Sequence, residues 1–169
     1  EICALGPEIV EPSVRLVAAR AAREQIAIEI ASDLPRVTVS ADSRKLIQVL
    51  SNLLSNAVKF SEAGTRVSIG GRLQADGQLA IEVADQGCGI SADDIDRALE
   101  PFTQVGGPNR RHHEGTGLGL PLARQLTELH GGHLNVTSTP GVGTTVSVVL
   151  PAERVHPLAA PVRVSANER

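Results

Sequence analysis

Residues 42–60 leave the chain the least freedom. Asp42 is a good helix cap, and after it Leu46, Leu50, Leu53 and Ala57 recur at three- and four-residue steps, flanked by Val49 and Leu54. That spacing predicts an amphipathic helix with one side pressed into a core. The opposite side carries Gln48, Asn52, Asn56 and Lys59. Solvated helix faces favour Glu, Lys, Arg and Gln, and an asparagine inside a helix costs roughly 0.5 kcal/mol relative to alanine. Two on one stripe need a reason. An exposed face that happens to be rich in amides satisfies the pattern; so does a row of neutral oxygen ligands turned to a polar cavity.

A second helix is headed by glycine. Leu118, Leu122, Leu126 and Leu129 repeat at four- and three-residue steps, so a helix begins near Gly117 and ends at Gly131-Gly132. It opens with Gly115-Thr116-Gly117-Leu118-Gly119-Leu120. Such an opening points to backbone lying against an anion, because the first N–H groups of a helix lack internal partners and carry the positive end of its dipole. A glycine-rich loop turn is the alternative. Neither familiar phosphate loop fits. A dinucleotide-binding loop leaves a strand directly, whereas polar residues 106–113 precede this one. A P-loop needs Gly-Lys-Ser/Thr after four residues, and that triplet does not occur.

The rest of the chain alternates. Glu8 to Arg23 reads as a helix, and Ile26, Ile28 and Ile30 as a strand broken before Pro35, with Val37-Thr38-Val39 a short second strand. Val67 and Ile69 begin another strand, which Asp76-Gly77 turns into Leu79, Ile81 and Val83. That strand runs into Asp85-Gln86-Gly87-Cys88-Gly89-Ile90, either a plain turn or a place where backbone approaches a flat ligand closely. Ser91 to Leu99 is a short capped helix, residues 103–114 a long loop without periodicity, and 133–137 and 145–150 two strands. Beyond Pro151 no pattern is legible.

At 169 residues, one domain with a real core is expected. Phe60 and Phe102 are the only aromatic residues, so the core must be Leu, Val, Ile and Ala. Base-stacking platforms are missing and the formal charge is −3, so no nucleic-acid partner is expected. No apolar run approaches a bilayer span, which argues against direct membrane contact. Cys3 and Cys88 make no disulfide framework, and a reducing, cytoplasmic setting is the default for such a chain. Methionine is absent throughout, as expected of a piece of a longer protein or a processed product. His130 and His133 lack a further ligand cluster and read as structural rather than metal-binding.

Four stretches now stand in order: Asn52 to Phe60, Asp85-x-Gly87-x-Gly89-Ile90, Glu100-Pro101-Phe102, and Gly115 to Leu120. This succession resembles the catalytic and ATP-binding domain of sensor histidine kinases, in the superfamily that includes gyrase, the Hsp90 chaperones and MutL. The resemblance covers residues 8–151, leaving 1–7 as the end of an upstream linker or dimerisation helix and 152–169 as a flexible tail or linker. It implies an α+β fold, a two-layer α/β sandwich with a mixed β-sheet packed against three helices, binding ATP and Mg2+. Asp85 would accept a hydrogen bond from the exocyclic amine of adenine, where guanine presents a carbonyl. Gly87 and Gly89 would let the chain pass beside the base, next to Ile90. By similarity Asn56 is the magnesium ligand, Asn52 sits beside the phosphates or a metal-bound water, and Lys59 pairs with a phosphate. Gly115, Thr116, Gly117, Leu118, Gly119 and Leu120 would lie against the polyphosphate, and Phe102 and Thr145 complete the nucleotide-contacting set.

Many members of that family carry arginine two residues after the phenylalanine of the third box; here the place is Gln104. Arg110 and Arg111 are then the candidates for the γ-phosphate contact, with a solvated loop charge the alternative for each. The implied partners are a histidine-bearing dimerisation domain, of the same or a partner chain, and a response regulator receiver domain. The acceptor hairpin's signature, a histidine followed by an acidic residue and then a nearby proline, is absent, so a monomeric or weakly dimeric fragment is expected. The rival readings are a catalytically silent nucleotide-binding scaffold and a serine kinase of the anti-sigma-factor type.

Overall fold

The alternation of apolar residues read from the sequence builds one large sheet. In the computed structural model, which describes residues 1–103 and 116–158, its strands are β2 (Ala27–Ile30), β4 (Arg66–Leu73), β5 (Leu79–Asp85), β6 (His133–Thr139) and β7 (Gly143–Leu150). They lie in the order β2-β4-β5-β7-β6, with β2 parallel to β4 and the other pairs antiparallel. Val67, Ile69, Leu79, Ile81, Val83, Val148 and Leu150 are all buried and share the inner face. Three helices cover that face: α1 (Glu11–Arg23), α2 (Ser43–Phe60) and α4 (Gly119–Leu129). Helix α2 is the middle one, packed against both α1 and α4, and it buries Leu46, Leu50, Leu53, Leu54, Ala57 and Val58. The two-layer sandwich implied by the sequence is therefore the fold. A fourth helix, α3 (Ala92–Ala98), is short and lies against β6.

The cap of α2 is as predicted: Asp42 Oδ1 accepts from the N–H groups of Arg44 and Lys45 at 3.1 and 3.3 Å. Those donors hold the exposed Asp42 carboxyl below its usual range. The Asp42 N–H is tied off separately, donating to Nε2 of buried His130 at 3.2 Å, while His130 Nδ1 lies 2.7 Å from the carbonyl of Leu126. An imidazole placed between a donor and an acceptor must carry its proton on Nδ1, so this ring pins the end of α4 to the start of α2. His133 is exposed on β6. His130→Ala should lower the unfolding free energy by about 2–3 kcal/mol in urea, since it leaves a void, the buried Leu126 carbonyl without its imidazole donor and the part-buried Asp42 N–H without its acceptor.

The ends of the chain correct the sequence reading. The sequence reading puts residues 1–7 in an upstream linker or dimerisation helix and 152–169 in a flexible tail or linker, of which 159–169 lie outside the described residues. Instead, β1 (Ile2–Ala4) and β8 (Val155–Pro157) flank β3 (Val37–Ser40) in a second, antiparallel sheet. Each is too short to show a period; main-chain pairing and one buried side chain, Cys3 or Val155, hold it. Arg154 adds a 2.7 Å hydrogen bond to the carbonyl of Ser40. The helix expected from Glu8 instead starts as a π-helical stretch, Leu5–Val10, in which the Glu11 N–H donates to the Gly6 carbonyl. Pro12, which has no N–H, then falls in the first turn of α1, where it is tolerated. Among the described residues no helix is long and apolar enough to cross a membrane.

Candidate functional site

Strand β5 delivers a carboxylate to the edge of the helical layer. Asp85 Oδ1 accepts from the N–H groups of Gly87 at 2.8 Å and Thr144 at 3.3 Å, whereas Oδ2 accepts nothing from the described residues. Burial pushes the carboxyl above its usual range, and the two backbone donors oppose the shift. The result is an acid with one oxygen fixed and the other left to accept from a ligand.

The turn after Asp85 needs its glycines for a reason the sequence did not show. A Cβ on Gly87 would fall 2.3 Å from the carbonyl oxygen of Phe60, the last residue of α2. At Gly89, where φ is +69°, a Cβ would fall 2.2 Å from the carbonyl oxygen of Thr139. The turn is wedged between the end of α2 and the β6–β7 turn, with Cys88 N–H donating to Phe60 at 3.4 Å and Gly141 N–H to Cys88 at 2.8 Å. Ile90 N–H donates to Ser138 Oγ at 2.7 Å. This wedge sets Asp85 beside the C-terminal end of α2. Gly89→Ala should therefore destabilise the domain by about 3 kcal/mol in thermal or urea unfolding, from a left-handed φ and a backbone clash together.

The amide stripe faces the start of α4. Asn52 Nδ2 donates to the carbonyl of Gly119 at 3.4 Å, and a Cβ on Gly119 would come within 3.6 Å of the Asn56 amide. Both asparagines therefore lie beside the start of α4, Asn52 through its amide nitrogen. Pro121 has no N–H, and Leu122 N–H already donates to Leu118, so Gly119 and Leu120 hold the donors left over in the first turn. Leu120 also packs on the core. Just before, Gly117 (φ +70°) accepts from the Phe102 N–H at 3.2 Å, and a Cβ there would meet the Phe102 backbone at 3.0 Å. The third and fourth boxes are thus joined through backbone, while the Phe102 ring is 78% exposed. Thr116 is exposed and Leu118 half-buried.

Lys59 sits half-buried at the end of the stripe, its Nζ 5.0 Å from the centre of the Phe60 ring. It has no carboxylate within ion-pair distance among the described residues.

Thr145 is a correction. Its register partner is Ala84, so it points to the face of the sheet opposite Asp85, whose partner is Thr144. Thr144 is the residue on the Asp85 face: its N–H donates to Asp85 Oδ1 at 3.3 Å, and its Oγ1 lies 2.8 Å from Ser138 Oγ. Pairing with Leu79, Ile81 and Val83 puts the even-numbered residues of β7 on the inner face, but Val149 is buried too, so the apolar run 148–150 shows no alternation that would have pointed to Thr144. Arg110, Arg111, Gly115 and Gln104 lie outside the described residues, as does all of the 103–114 loop except Thr103.

With this geometry in hand, comparison with known proteins is specific. Residues 41–154 match the family described as histidine kinase-, DNA gyrase B-, and HSP90-like ATPase. Histidine protein kinase DivJ of Caulobacter vibrioides is 42% identical over 146 residues, spanning 85% of this chain and 24% of that protein. The mycobacterial sensor histidine kinase MprB superposes with a TM-score of 0.77 at 28% identity, covering 94% of this chain and 100% of that structure. Full-length ShkA, solved in complex with AMPPNP, gives a TM-score of 0.76 at 32% identity over 91% of this chain and 31% of that one. The chain belongs to the family of histidine kinase-, DNA gyrase B- and HSP90-like ATPases. Within it, this is a catalytic ATP-binding domain of the sensor histidine kinase kind. It spans about a quarter of the length of DivJ.

Proposed function

We propose that the domain binds Mg-ATP between α2 and the start of α4 and presents its γ-phosphoryl group to a histidine on a separate dimerisation domain. The observation that carries this reading is Asp85. Its carboxylate is held by two backbone N–H groups through one oxygen only, at the same edge of the sandwich as the end of the amide stripe. The spare oxygen suits the exocyclic amine of adenine. Asn56 suits a divalent cation by its chemistry: a hard ion takes neutral oxygen ligands, weakly unless phosphate oxygens complete the shell. When bound, magnesium would neutralise charge on the phosphates.

The chain's own groups then do the positioning that phosphoryl transfer mainly requires. Lys59 has no acidic partner among the described residues and is available to a phosphate. The N–H groups of Gly119 and Leu120 and the dipole of α4 favour negative charge at the same place. Thr116, Gly117 and Leu118 lead into that start of α4, and the family resemblance adds Gly115 and Arg110 or Arg111, which lie outside the described residues, as candidates for the same anion. The AMPPNP bound by ShkA supports a nucleotide here, and the sensor-kinase relatives support a receiver domain as the later acceptor.

Mixing the domain with a purified histidine hairpin and γ-labelled ATP tests the proposal. Acid-labile label on the hairpin is the expected result. Acid-stable label would point to a serine kinase, and nucleotide binding without any transfer to a silent scaffold; either overturns the reading.

A further inference from the structure

Two cations flank the asparagine stripe, and neither has an acid within ion-pair distance among the described residues. Arg20, in the last turn of α1, donates through Nη1 to Ser55 Oγ at 3.0 Å. Ser55 directly precedes Asn56, and Lys59 lies one helical turn further along the same side of α2. The other guanidinium N–H groups of Arg20 have no partner among the described residues. Among the described residues Arg20 and Lys59 reach no carboxylate within 4 Å, which is also true of Arg23, Arg36, Arg44 and Arg154; what sets Arg20 and Lys59 apart is that both lie at the asparagine stripe. Burial first, and then the charge of Arg20, push the Lys59 ammonium below its usual value. Two like charges on the same side of α2 oppose each other, and an anion shared between them is attracted by both.

We propose that Arg20 is a second phosphate-binding cation, reaching from α1 past Ser55 to share the terminal phosphates of the nucleotide with Lys59. The proposal rests on the nucleotide reading given above. A guanidinium fork anchored through one nitrogen keeps donors free for phosphate oxygens, which it matches in geometry as well as charge. The stripe that Ser55 adjoins is the surface on which that reading lays the polyphosphate.

Calorimetry with ATP and ADP, and an NMR titration with adenosine, test it on the wild-type chain, Arg20→Gln and Arg20→Lys. Arg20→Gln should bind ATP about tenfold more weakly, with a smaller salt dependence, and adenosine as before. Arg20→Lys, which keeps the charge, should recover part of the loss and remains informative if the glutamine variant folds poorly. Wild-type ATP affinity in both variants overturns the proposal and leaves the nucleotide site standing. Equal loss for ATP and adenosine shows that Arg20 merely straps α1 to α2, and overturns it too. Unchanged ATP affinity with lost transfer to the histidine hairpin would reassign Arg20 to the acceptor domain. A wild-type chain that binds neither adenosine nor ATP removes the nucleotide reading itself, and the proposal with it.

Discussion

Asp85→Asn should cut ATP affinity about a hundredfold while leaving the unliganded domain folded and at least as stable. The asparagine Oδ1 can still accept from Gly87 and Thr144, so the turn loses nothing. The change falls on the other atom. An NH2 group replaces the spare oxygen, and two donors then face each other where the adenine amine is proposed to sit. Stability should move the opposite way, because burial raises the Asp85 pKa above the ordinary 3.8. An acid shifted upward on folding contributes stability that is full below its unfolded value and lost as pH rises through the folded one. At neutral pH the ionised Asp85 is therefore a net cost, and the asparagine variant should melt no lower than wild type. Binding has the reverse dependence: ATP affinity of the wild type should fall as pH drops through the raised value, and the variant should lack that fall. Calorimetry across a pH series, with thermal melts of the free protein, reads both effects. Unchanged ATP affinity in the variant would remove Asp85 from the site.

The features legible in the sequence were those with a period. Helix α2 advertised both its faces, with Leu46, Leu50, Leu53 and Ala57 buried and the asparagines turned to α4, because eighteen residues give two stripes room to repeat. Strands β4 and β5 alternate and close on a marked turn, so they too were readable. Strands β1 and β8, three residues each, owe their place to pairing with β3, which leaves no periodic trace. Thr145 stands one residue from Thr144, and in a strand a single step turns a side chain to the other face. For Gly87 and Gly89 the sequence leaves a plain turn and close approach to a flat ligand both open, and what lies against them, the end of α2 and the turn at Thr139, is a matter of tertiary placement. Arg20 gave no signal at all; its partner Ser55 is 35 residues away.

Asn56→Ala should make ATP binding nearly indifferent to magnesium and lower phosphoryl transfer to a histidine hairpin roughly a thousandfold. Collapse of the helix is not the expected cause. Alanine is the better helix former by roughly 0.5 kcal/mol, and Asn56 is half-buried, at ordinary contact distance from Gly119 rather than wedged under it. The free domain should thus melt at or slightly above the wild-type temperature. Asn52→Ala is the instructive comparison, since Asn52 donates to the carbonyl of Gly119 and its loss loosens the start of α4. That variant should weaken ATP binding with and without magnesium alike. The pair of variants separates an oxygen that serves a cation from an amide that serves the protein. Full magnesium dependence in the Asn56 variant would assign the ion to other ligands, because no oxygen would then remain on that side chain to bind it.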